Sequence, residues 1–144
     1  MNSTDRLLMI GIVPGLVAGV VYEVFLGHRH DYTGHFIAGY GGTYGAILVW
    51  LRMLPPIRYH QTGSLHLVLA CVACILLGTF LEATAFRIAK FDEVDFCNQS
   101  LGAVLAAIAA VSFLQSIKPS DRVFDYGLIT GIVFLGVGGC YAVA

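Results

Sequence analysis

Residues 31–53 read DYTGHFIAGYGGTYGAILVWLRM. The stretch opens on ionisable and small polar side chains, passes through a ladder of glycines and ends as an apolar run. Asp31 and His35 are four positions apart, so they share one helical face where the chain would enter lipid. About 20 helical residues cross the roughly 30 Å of hydrocarbon in a bilayer, and this segment has the length and character to do so.

The rest of the chain extends that reading. Of 144 residues, 58% are hydrophobic and only 12% charged; a soluble domain carries about 25% charged residues. Mean hydropathy is +0.81. Four further apolar segments accompany the first, so the expected fold is all-α. It is an integral membrane bundle of about five transmembrane helices in one domain, near 7–26, 35–54, 64–84, 99–117 and 126–143. The first segment is longer than a signal-peptide core and no small-residue cleavage site follows, so it reads as a retained helix. Pro55, Pro56 and Pro119 stop helices, whereas Pro14 lies inside one and predicts a kink whose freed carbonyl a neighbour must satisfy.

Short-loop charges set the orientation. One side collects Arg6, Arg52, Arg58, Lys118 and Arg122; the other collects Arg29, Arg87 and Lys90. The excess predicts a cytoplasmic N-terminus in a plasma (inner) membrane. Glu23, Asp31, Glu82, Asp92, Glu93 and Asp95 then share the outer face, which points to one polar site there. A net charge of −1 without a basic stripe excludes nucleic acid as a partner. The lipid bilayer is the expected surrounding, with other membrane subunits or a homo-oligomer as possible company.

Asp31 and Thr33 read as helix caps; alternatively, Asp31 orients His35 as a proton carrier or ligand. His28 and His30, with His35 and Glu23, hold nitrogen and oxygen donors suited to a metal, but a solvated loop accounts for them and no metal is assigned. Glu82 ends an apolar run at a depth where a carboxylate is costly and usually paired or functional; Arg87 and His35 are its candidate partners. Asp95 reads as the cap of the fourth helix or as a member of the site. Cys71 and Cys74 form a CxxC inside an apolar run and read as small packing residues. Glycines four apart (Gly11, Gly15 and Gly19; Gly41 and Gly45; Gly127 and Gly131) predict close helix packing. No phosphate-binding glycine loop, HExxH or nucleophile elbow is present.

DYTGHFIAGY resembles the D-x-x-x-H-F signature that opens the second helix of VanZ-like membrane proteins. LEATAFRIAKFDEVDFCNQSLGA resembles that family's second signature: a glutamate ending a helix, an arginine-containing loop, then Asp with Gly seven positions on. Asp31, His35, Phe36, Glu82, Asp95 and Gly102 match, and Arg87 or Lys90 stands for the loop arginine. The family's glutamine after the glutamate is Ala85 here, its Pro-Gly-Arg turn is missing, and its asparagine is Gln99 with Asn98 adjacent. The resemblance covers about residues 31–110 and implies an envelope protein of the kind associated with glycopeptide resistance.

Two functions remain open on the sequence. One is a VanZ-like protein whose outer polar site of Asp31, His35, Glu82, Arg87 and Asp95 handles an envelope lipid or glycan headgroup. The other is a non-catalytic accessory subunit of a larger electron-transfer or pigment-protein complex, with His28, His30 or His35 as a ligand to haem or a chlorophyll-type pigment. A transporter fits less well, because no ionisable residue lies deep in a span. Enzymatic activity is undecided and leans to none.

Overall fold

A computed structural model describes residues 7–26, 29–53, 59–84, 92–116 and 121–142. All the described residues but Arg29 and Asp92 are helical, and none is in a strand. A π-helical stretch, Leu7–Ile12, runs into α1 (Val13–Leu26); α2 (His30–Met53), α3 (Tyr59–Thr84), α4 (Glu93–Ser116) and α5 (Asp121–Ala142) follow.

The wide π turn ends two residues before Pro14, where a proline leaves the backbone without one amide donor and crowds the preceding turn. Beside it, the Tyr40 hydroxyl of α2 donates to the Gly11 carbonyl.

α2 is the axis of the bundle and touches each of the other four helices. Phe36, Tyr40, Tyr44, Ile47 and Leu48 on it are all buried. Its many glycines let neighbouring backbones come within touching distance. A methyl group at Gly102 of α4 would overlap the Phe36 carbonyl and sit 2.8 Å from the Tyr40 amide nitrogen. Neither backbone atom can rotate away, so the α2–α4 seam requires glycine there. On the opposite side of α2, Gly34 lies against Gly138 and Ala142 of α5, and Gly41 and Gly45 lie against Gly131.

These contacts fix direction. Gly11 of the π-helical stretch and Gly15 and Glu23 of α1 meet Tyr44, Tyr40 and Thr33 of α2 in turn, so α1 and α2 are antiparallel. α5 also runs antiparallel to α2, whereas α4 runs parallel to it: His35 and Gly39 meet Asp95 and Gln99. One end of the bundle therefore gathers the end of α1, the starts of α2 and α4, and the end of α5.

Among the described residues, two helices are long and apolar enough to cross a membrane, Glu93–Ser112 and Asp125–Ala142; Val13–Phe25 and Leu65–Leu81 are shorter apolar stretches. The expectation of five comparable spans is met only this far. The π turn and Pro14 divide the first segment, and the glycines, tyrosines and threonines of α2 make the central helix the one least in need of lipid. Apolar side chains on the other helices point outward: Phe25 is 82% exposed and Leu76 63%.

Helix starts also differ from the apolar runs. α2 begins at His30 and α4 at Glu93, five and six residues before the predicted spans. Polar first turns carry the backbone hydrogen bonding beyond the point where hydropathy falls.

Candidate functional site

The gathered end of the bundle is polar. α4 is capped by Asp92, whose Oδ1 accepts from the Val94 amide at 2.8 Å. Asp95 is not the cap; it lies within the first turn of the helix, facing α2. There, its Oδ2 is 3.6 Å from His35 Nε2, with the two side chains 16% and 17% exposed. That separation is a charge contact slightly longer than a hydrogen bond. It joins two helices that Gly39 and Gly102 hold together one turn deeper.

Next to this pair, the Tyr22 ring of α1 stacks on Phe36 with centroids 4.5 Å apart. Its hydroxyl donates to Asn98 Oδ1 at 3.0 Å. Asn98 is 7% exposed, and its Nδ2 is buried with no hydrogen-bond partner among the described residues. Asp95, Asn98 and Gly102 follow one another at helical spacing, so the face of α4 that seats the imidazole also carries this amide.

A second cluster lies toward α5. Glu23 Oε2 accepts from the Thr33 hydroxyl at 2.9 Å, and Glu23 Oε1 is 2.7 Å from His30 Nδ1. The His30 ring meets Tyr141 edge-on at 5.3 Å. Thr33 thus spends its hydroxyl on α1 instead of capping α2.

Asp31 takes a partner different from the expected one. It pairs with Arg29, whose Nε and Nη2 lie 3.2 and 3.0 Å from its two carboxylate oxygens. The Arg29 guanidinium also lies over the Tyr32 ring, 3.8 Å from its centroid. Hydrogen bonding from Arg29 holds the Asp31 carboxyl below the usual carboxylate range, aided by the Tyr32 backbone amide. Asp31 sits in the first turn of α2, where the helix dipole favours an anion.

The structure therefore brings His35 and Asp95 together and assigns Asp31 to Arg29. Glu82 is on α3, two residues before its end, but its side chain lies outside the described residues, as do His28, Arg87 and Lys90 entirely. Among the described residues, no three of His, Cys, Asp and Glu gather as metal ligands. Cys71 is buried, Cys74 half-buried, and Cys97 and Cys140 exposed; all four are free thiols.

Tyr22 is the site residue that sequence reading missed. Its signal was there: an aromatic with a polar tip beside Glu23, at the end of an apolar helix, where such a side chain usually finds a partner. Comparison with protein-family models, with curated proteins and with solved structures returned no match.

Proposed function

We propose that this chain is an integral membrane bundle of five spans, VanZ-like in character, whose polar end handles the headgroup of an envelope lipid or glycan. The observation that carries this reading is the His35–Asp95 contact between the parallel starts of α2 and α4. An imidazole and a carboxylate from separate helices, both about five-sixths buried, are costly to place together without a use. In this reading His35 carries the proton, Asp95 fixes the orientation of the ring, and the Asn98 amide supplies a donor to a bound oxygen.

Three features support the membrane setting. Two helices have the required length and apolar character. Large side chains such as Val24, Phe25 and Leu76 point outward in numbers that water does not favour. The short-loop charge count favours a polar end outside and an N-terminus in the cytoplasm.

The test is to express the chain in a glycopeptide-sensitive bacterium and measure the inhibitory glycopeptide concentration. The expected result is a raised concentration that His35→Ala and Asp95→Ala each abolish, with both variants still recovered in the membrane fraction. Full resistance in both variants would refute the site.

A further inference from the structure

Beside the polar site, a groove of about 230 Å³ runs between α1, α2 and α5. Gly15 and Gly19 form its floor, and Val20 and Val137, 62% and 52% exposed, form its outer walls. Glu23 and Thr33 close one end, beside Tyr141. Among the described residues lining it, Glu23 alone is charged.

We propose that this groove binds one acyl chain of an ethanolamine-type glycerophospholipid, with the lipid ammonium on the Glu23 carboxylate. The proposal rests on the membrane reading above and adds a ligand beside the His35–Asp95 pair.

Length is the first argument. From Gly15 to Glu23 the helix rises eight residues, about 12 Å. One leaflet of hydrocarbon is about 15 Å deep, half of the roughly 30 Å core. The groove therefore reaches from the polar end through most of one leaflet. Its apolar length and single polar mouth match an amphiphile lying along the lipid direction.

Charge is the second. Each Glu23 oxygen already has one partner, Thr33 on Oε2 and His30 on Oε1. A carboxylate oxygen accepts more than one donor, so an ammonium fits without displacing either. The side chain is 33% exposed, which leaves it reachable from the mouth. An anionic headgroup would instead meet a carboxylate, while the neighbouring guanidinium of Arg29 is committed to Asp31 through two hydrogen bonds.

The full chain, reconstituted in vesicles of equimolar phosphatidylethanolamine and phosphatidylglycerol and released into mild detergent, is to be examined by native mass spectrometry. One bound phosphatidylethanolamine is expected, about tenfold over phosphatidylglycerol, the scale of one charge-assisted hydrogen bond. Glu23→Gln should bring the ratio near unity, and Val20→Trp, which fills the groove from its outer wall, should lose both lipids. Equal retention of the two lipids, an unchanged ratio in Glu23→Gln, or a second copy of the chain in place of lipid would overturn the proposal. Recovery of the chain in the aqueous fraction without detergent would overturn the membrane reading as well. Membrane insertion without an ethanolamine preference overturns the lipid site alone.

Discussion

Replacing Tyr22 by phenylalanine removes one oxygen and leaves the ring stacked on Phe36, so the change isolates the hydrogen bond to Asn98. The amide of Asn98 has almost no access to water, at 7% exposure, and its Nδ2 already lacks a partner among the described residues. Loss of the Tyr22 hydroxyl leaves Oδ1 stranded too. A lost hydrogen bond costs about 1 kcal/mol, and a stranded buried acceptor about 1–3 kcal/mol. Tyr22 itself is half-buried, so water entering from its side relieves part of that penalty. About 1–2 kcal/mol is therefore expected, which lowers Tm by roughly 3–6 °C in a chain of this length. Thermal unfolding in mild detergent measures it, followed with a thiol-reactive dye in a chain whose Cys74, Cys97 and Cys140 are replaced by alanine, so that the buried Cys71 reports. Asn98→Leu in the Tyr22→Phe background should add less than it costs alone, with a coupling of about 1 kcal/mol. A Tm unchanged within about 1 °C, or additivity of the two changes, would refute the reasoning.

Two further outcomes follow from the packing and the charges. Gly102→Ala should cost about 1–3 kcal/mol, because the added methyl meets backbone on α2 and the helices must part; the Tm drop in detergent checks it, and an unchanged Tm would show that the seam is loose. The Arg29–Asp31 pair should contribute little to stability, since both groups are well exposed and water screens their attraction. Asp31 has a lowered folded pKa, so this contribution is full above the unfolded value and fades as pH falls through the folded one. The Tm difference between the native chain and Arg29→Ala should thus be constant near neutrality, begin to shrink at about pH 4, the unfolded carboxyl value, and vanish only below the lower folded one.

Much of the architecture is legible in the sequence because apolar runs and prolines mark helices directly. Helix starts are less legible: hydropathy registers preference for lipid, whereas the helix begins where backbone amides find acceptors. Asp92, not Asp95, is the acceptor at α4, which leaves Asp95, three residues on, to face His35. Asp31 and His35 obey the four-residue rule, yet a two-pronged guanidinium two residues before Asp31 competes better for the carboxylate. The pairing of His35 with Asp95 joins residues sixty positions apart; motif order hinted at it, while periodicity within either helix carries no trace of it. The Tyr22–Asn98 bond was equally hidden, because a tyrosine within an apolar helix reads as lining until the neighbouring helix is placed.

α2 and α4 begin side by side with His35 against Asp95, and the proposed function puts that pair at the outer membrane face. The most direct measurement is a cross-link between cysteines at these two positions, in a chain whose four native cysteines are replaced by alanine. Intact cells would be treated with a short, membrane-impermeant bifunctional thiol reagent. A protease site inserted between α3 and α4 would then report whether the halves stay joined. The halves are expected to stay joined, with the cross-link formed from outside the cell. Separate labelling of the two cysteines without joining, or cross-linking only from the cytoplasmic side, would contradict it.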